Sequence, residues 1–192
     1  MRPYPLRVAS RAVPAPLAQL PNALTVLRLA LVPVFVAVYL AAGDGSSWAA
    51  GWIFLVAGIT DQVDGFLARR WHVESRFGKV ADPLADRLMI DAAVVLLWLE
   101  GKLPWPGALA IVLRDVLLVV GYRLLVPSGY ELSVNALGKL ATWILYLGTG
   151  ILLVVGAETT WPLWIFWAGL ALALVAAAQY VVAARRSLKD SS

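Results

Sequence analysis

The chain has 192 residues, 61% of them hydrophobic and 15% charged, with a mean hydropathy of +0.78. Soluble domains carry roughly 45–50% apolar and about 25% charged residues, so this composition specifies an integral membrane protein built as one domain. Cysteine is absent and His72 is the single histidine, which excludes disulfides, cysteine-based chemistry, a multi-histidine zinc site and an HExxH protease.

Six apolar stretches predict six transmembrane helices. Residues 1–20 hold Arg2, Arg7, Arg11 and the prolines Pro3, Pro5, Pro14 and Pro16. They read as an irregular cytoplasmic lead-in with a short amphipathic piece near Leu17–Leu20, ahead of a membrane domain over 21–189. No compact apolar core precedes a small-residue cleavage site, so this lead-in is not read as a cleavable signal peptide. Pro21-Asn22 opens the first span, about Ala23–Ala42, with Asn22 as a helix cap. Arg28 lies about one turn in, where it needs an anionic partner or a snorkelling route, and Pro33 predicts a kink.

Gly43–Ser47 is an outside turn, and Trp48 begins a second span that runs to about Arg69. A polar, basic inside connection, Arg70–Lys79, leads to a third span from Val80 to Leu99. Pro83 falls early enough in that helix to be tolerated. Glu100–Gly107 turns outside, the fourth span covers Ala108–Leu125, and an inside loop over Val126–Val134 leads to Gly138-Lys139 at the head of the fifth. That span ends near Ala157. The sixth, Leu163–Ala184, ends in Arg185, Arg186 and Lys189, a cytoplasmic stop.

Threaded this way, Lys102 alone of the 16 Lys and Arg residues falls on the outside. That bias is the positive-inside signature, with both termini cytoplasmic, and it accounts for the net charge of +4 without nucleic acid. Trp48, Trp71, Trp105 and Trp161 read as interface anchors, and His72 as a solvated loop residue. The sequence shows no internal repeat.

One stretch needs more than topology. Asp61 and Asp64 are three apart, and Asp82 and Asp86 four apart, so each pair falls on one helix face. All four stand at the ends of apolar runs, where an ionised carboxylate is expensive unless paired or metal-bound. With Arg69, Arg70, Arg76, Lys79 and Arg87 around them, the pattern suggests divalent cations holding a phosphorylated substrate. A proton or cation pathway of a transporter is the reading from another class. Small Gly65, Ala68 and Gly78 beside Arg69 suit a phosphate ligand better than a bare ion, and no interrupted helices recur in matched halves.

The order Asp61-x2-Asp64-Gly65-x2-Ala68-Arg69-x8-Gly78-x3-Asp82-x3-Asp86 resembles the signature of the CDP-alcohol phosphotransferase (CDP-alcohol phosphatidyltransferase) family, with every fixed position present. The opening Pro21-Asn22-x-Leu24-Thr25-x2-Arg28-x4-Pro33 is similar to the first helix of its phosphatidylglycerophosphate synthase and cardiolipin synthase branch. The resemblance implies an all-α polytopic fold of six helices around a cytoplasm-facing polar cavity in the inner membrane, usually as a homodimer. Members transfer the phosphatidyl group of CDP-diacylglycerol to an alcohol and release CMP. By the same resemblance Asp61, Asp64, Asp82 and Asp86 would hold two divalent cations, Mg²⁺ or Mn²⁺. Asp86 would also be the general base, and Gly65, Ala68, Arg69 and Gly78 would join Asp61, Asp64 and Asp82 in the nucleotide site.

The acceptor is a separate question. Arg114, Arg123 and Lys139, on the two spans joined by the longer inside loop, are candidates for an acceptor-phosphate pocket. With the opening helix they favour glycerol-3-phosphate. Arg114-Asp115-Val116 resembles instead the cardiolipin synthases, whose acceptor is phosphatidylglycerol. Asp91, outside the signature, is expected to form a structural ion pair with Arg28 or Arg114, and Arg114 and Asp115 could pair with each other.

Overall fold

The computed structural model describes residues 15–43, 45–71, 78–125 and 136–190, with side chains described for 23–43, 45–60, 87–120 and 136–179. Six helices follow one another: α1 (Ala15–Ala42), α2 (Trp48–Trp71), α3 (Gly78–Leu99), α4 (Trp105–Leu125), α5 (Ala136–Val154) and α6 (Trp161–Asp190). There is no strand among the described residues. The all-helical, six-helix expectation holds. Residues Ala23–Ala42, Ala136–Val154 and Trp161–Gln179 are each long and apolar enough to cross a membrane, and α2 is apolar over Trp48–Thr60. A helix satisfies its own backbone, which is what allows a chain to lie in hydrocarbon.

The helix ends differ from expectation in an instructive way. Residues 15–20, read as irregular, begin α1; α4 starts at Trp105 and α6 at Trp161 rather than inside their apolar runs. In all three the second residue is proline, Pro16, Pro106 or Pro162, and the missing N–H of a first-turn proline would have had no helical partner. The basic residues Arg185, Arg186 and Lys189, read as a stop, continue α6 to Asp190, whereas α5 ends at Val154, three residues short of the expected Ala157. Trp48, Trp105 and Trp161 each begin a helix and are 70%, 62% and 55% exposed, as an aromatic belt at one membrane face requires. The N-terminal segment before residue 15, His72 and the loop 126–134 lie outside the described residues.

Helix α1 packs on α2 and α3, α5 on α6 and α2, and α3 also on α4 and α5. Aromatic rings tie three helices together. Phe35 of α1 lies 6.1 Å from Phe54 of α2, which stacks on Tyr146 of α5 at 5.0 Å. Helices α5 and α6 approach more closely. A Cβ on Gly148 would stand 2.8 Å from the Phe166 backbone nitrogen, and one on Gly169 the same distance from that of Leu145. Small residues permit such contact between membrane helices, where packing rather than water drives association.

The Trp-rich end is sealed by hydrogen bonds. The Tyr39 hydroxyl donates to the Gly45 carbonyl at 2.7 Å, and the Ser47 N–H donates to the Leu153 carbonyl at 2.9 Å. Ser47 also caps α2, its Oγ accepting from the Ala50 N–H at 3.1 Å. Helix α3 ends in a glycine-terminated turn. Gly101 has φ 71°, its N–H donates to Trp98 O, and the Lys102 N–H reaches back to Leu97 O. This turn delivers Lys102, 6% exposed, whose Nζ donates to Leu152 O at 3.1 Å and to Val155 O. Lys102 is therefore a cap on the carbonyl end of α5, where a cation also meets the negative end of the helix dipole. Replacing Lys102 by Met keeps the apolar stem and removes both bonds. The expected loss is about 1.5–3 kcal/mol, seen as a lower unfolding midpoint in detergent.

Candidate active site

The signature residues occupy two helices. Asp61, Asp64, Gly65, Ala68 and Arg69 lie in α2; Gly78, Asp82 and Asp86 lie in α3. In α2 the five positions are offset by three, four, seven and eight residues, which is a single helical stripe. The offsets of four and eight make the same pattern in α3. Six residues, 72–77, connect the two helices, so their signature ends lie at the same end of the bundle. The side chains of residues 61–86 are outside the described set, and helical register is what fixes these positions.

Register says more when followed along each helix. In α2 the buried residues include Ala50, Phe54 and Ala57, at most 2% exposed, and the next steps of that stripe are Asp61, Asp64 and Ala68. In α3 the buried Leu97, Ala93, Ile90 and Met89 continue in steps of three and four to Asp86, Asp82 and Gly78. Both signature stripes prolong the inward face of their helix. Helix α1 supplies a third, in which Tyr39 and Phe35 lead through Val32 to Arg28 and Thr25. Arg28 is 2% exposed and Thr25 is 1% exposed. At that exposure Arg28 does not snorkel out of the bundle but is held inside it.

A charged contact that the sequence did not reveal joins α3 to α4. Arg87, the residue after Asp86, donates from Nη1 to Asp115 Oδ1 at 2.9 Å, and Arg114 donates from Nε to the same oxygen at 2.7 Å. Asp115 is 1% exposed, its Oδ2 has no hydrogen bond, and Arg114 is 8% exposed. The neighbours Arg114 and Asp115 do pair, but the acid also recruits a partner from another helix. Asp91 forms no ion pair with Arg28 or Arg114 among the described residues, and its buried Oδ1 has no hydrogen bond. The expected structural pair is thus replaced by the Arg87–Asp115–Arg114 cluster, one helical turn from Asp91. Arg123 lies in α4 with its side chain outside the described set, and Lys139 is exposed in the first turn of α5. The available signal for Arg87 was an acid in an apolar run beside a single basic neighbour.

Between α2 and α5 lies a cavity of about 540 Å³. Trp52, Leu55, Gly58, Tyr146, Gly150 and Val154 are among the residues of its wall. Arg87 is its one charged lining residue among those described, and Thr142 lies near the same end. The Thr142 hydroxyl is already bonded to the Gly138 carbonyl at 3.0 Å, so Arg87 is the polar feature open to a ligand.

A model of the CDP-alcohol phosphatidyltransferase family matches residues 18–183. The chain is similar to the CDP-diacylglycerol–glycerol-3-phosphate 3-phosphatidyltransferase of Bacillus subtilis (strain 168), with 36% identity over 148 residues, 70% of this chain and 76% of that protein. Similarity to the protein of the same name from Escherichia coli (strain K12) is 35% over 192 residues, covering 89% and 97%. For that of Shigella flexneri serotype 5b it is 34% over the same shares.

Removing the carboxylate at the centre of the cluster takes from two guanidinium groups the acceptor they share. Asp115→Ala is expected to lower stability by about 3–5 kcal/mol, measured as a fall in unfolding midpoint. Asp115→Glu should recover most of it.

Proposed function

Since this chain belongs to the CDP-alcohol phosphatidyltransferase family, we propose that it transfers the phosphatidyl group of CDP-diacylglycerol to glycerol-3-phosphate. CMP leaves and phosphatidylglycerol phosphate forms. The enzyme is embedded in a membrane, and the reading places it in the cytoplasmic membrane with both termini and the site on the cytosolic side, where the positive-inside bias puts its basic loops. The proposal includes the homodimeric assembly that the family resemblance implies.

The observation that carries this reading is register. Two helices of one bundle, joined by six residues, place Asp61, Asp64, Asp82 and Asp86 on the prolongation of their buried stripes. Four carboxylates without cysteine or histidine form a hard oxygen donor set suited to Mg²⁺ or Mn²⁺. Bound there, two such cations would neutralise the diphosphate of the donor and the charge that grows on departing CMP. Gly65, Ala68 and Gly78 keep helix surface low for the approach of the cytidine nucleotide, and Arg69 adds a fixed positive charge beside it. Asp86 accepts the proton of the acceptor hydroxyl as its oxygen bonds to phosphorus and the bond to the CMP oxygen breaks. Arg114, Arg123 and Lys139 would hold the acceptor phosphate. Arg114 brings terminal nitrogens not engaged by Asp115, since its one hydrogen bond is through Nε.

Phosphatidylglycerol is the second acceptor to consider, because Arg114-Asp115-Val116 resembles cardiolipin synthases. Purified protein with CDP-diacylglycerol and each acceptor in turn decides between them by the lipid produced. Phosphatidylglycerol phosphate is expected, dependent on Mg²⁺ or Mn²⁺ and abolished by EDTA; cardiolipin as sole product, or full activity in chelator, would refute the assignment. Asp86→Asn should lower turnover by at least about 10²-fold while CDP-diacylglycerol binding changes little, because the base is lost and three acidic ligands remain.

A further inference from the structure

Asp115 sits where two helices and two cations meet. Its Oδ1 accepts from Arg114 Nε at 2.7 Å and from Arg87 Nη1 at 2.9 Å, and its side chain is 1% exposed. Neighbouring residues of a helix do not face each other, so Arg114 reaches the residue next to it only by curling its side chain about α4. The bond through Nε holds one edge of the guanidinium and leaves its terminal nitrogens clear of Asp115. Arg114 is only 8% exposed, and a buried guanidinium does not give up its one counter-charge cheaply. Its fork therefore keeps one direction.

Arg87 adds a second constraint. It follows Asp86 directly in α3, and its bond to Asp115 crosses from α3 to α4. Successive residues of a helix point about 100° apart, so Arg87 can engage α4 while Asp86 stays on the inward stripe. One carboxylate oxygen thus fixes two things, the aim of Arg114 and the height of α3 against α4 beside Asp86. An acceptor held by its phosphate at Arg114 must present its hydroxyl to Asp86, and this link sets the span between the two. Misplacement by about 1 Å at a reacting centre can cost about 10²-fold in rate.

We propose that Asp115 is a positioning residue for phosphatidyl transfer: it aims Arg114 at the acceptor's phosphate and, through Arg87, keeps that guanidinium in register with Asp86. The proposal rests on the reading of Arg114 as a ligand of the acceptor phosphate and adds what holds it in place. At 1% exposure Asp115 offers no surface to a substrate, so it acts through the two arginines.

The test is steady-state kinetics of the full chain in detergent with CDP-diacylglycerol and glycerol-3-phosphate, with unfolding midpoints beside it. Asp115→Asn should raise KM for glycerol-3-phosphate about tenfold while KM for CDP-diacylglycerol moves less than about twofold. Asp115→Glu keeps the charge and should return the acceptor KM to within about threefold of the unaltered protein. Arg87→Met leaves Arg114 its counter-charge but cuts the tie to α3, so it should lower kcat about tenfold with little change in either KM. In an Arg114→Met background Asp115→Asn should add less than about twofold, because what it positions is already gone. Equal shifts in both KM values, or an Asp115→Asn effect that multiplies with that of Arg114→Met, would overturn the proposal. So would a fall in unfolding midpoint with unchanged kinetics, which marks a structural role only, or a raised donor KM in Arg87→Met, which marks direct binding of the donor. If Asp115→Asn does not fold, Arg87→Met, with Asp115 and Arg114 still paired, decides by its kcat. Unaltered protein that forms no phosphatidylglycerol phosphate refutes the transfer reading and this inference with it; an active protein whose variants show no such split refutes this inference alone.

Discussion

A charge inside a lipid-surrounded bundle needs a counter-charge or a bound ion, and this constraint fixes what the chain does with its inner half. Asp115, at 1% exposure, is matched by two guanidinium groups from two helices. Arg28, at 2% exposure, lies on the same inward face of α1 as Phe35 and Tyr39. The stripes of α2 and α3 that are apolar in the outer half become acidic as they pass Ala57 and Met89. Such a concentration of acids in one region is unstable on its own and suits a protein whose partners are cations and phosphates.

The two ends of the bundle are built on different physics. The Trp-belted end spends its polar groups on itself: Tyr39 on Gly45, Ser47 on Leu153 and Ala50, Lys102 on the last carbonyls of α5. Aromatic contacts from Phe35 through Phe54 to Tyr146 hold α1, α2 and α5 together between the ends. A frame fixed on one side can hold ligand positions on the other without requiring those positions to pack among themselves.

Much of this was legible in sequence because helical spacing is a ruler. Asp61, Asp64, Gly65, Ala68 and Arg69 could be assigned to one face from their numbers alone, and α2 is indeed continuous across them. Helix ends were less legible. Pro16 falls in a lead-in that reads as irregular, and Pro106 and Pro162 in stretches that read as outside turns, although a first-turn proline loses no hydrogen bond. The Arg87–Asp115 contact could not be read, because it depends on how α3 lies against α4 and not on any spacing within either. For the same reason Asp91 was given a partner that packing denies it. Lys102 looked like an exception to charge topology until the α3–α4 turn was seen to deliver it to the end of α5.

The glycine contacts between α5 and α6 carry a mechanical consequence. With Gly148 against the backbone of Phe166 and Gly169 against that of Leu145, these two helices meet backbone to glycine at two points, which resists sliding of one along the other. The opposite wall of the cavity, α2, meets α5 through rings and side-chain tips instead. Relative movement within the bundle therefore falls more readily between α2 and α5 than between α5 and α6. The helix that carries Asp61 and Asp64 is therefore the one less rigidly tied to the α5–α6 pair.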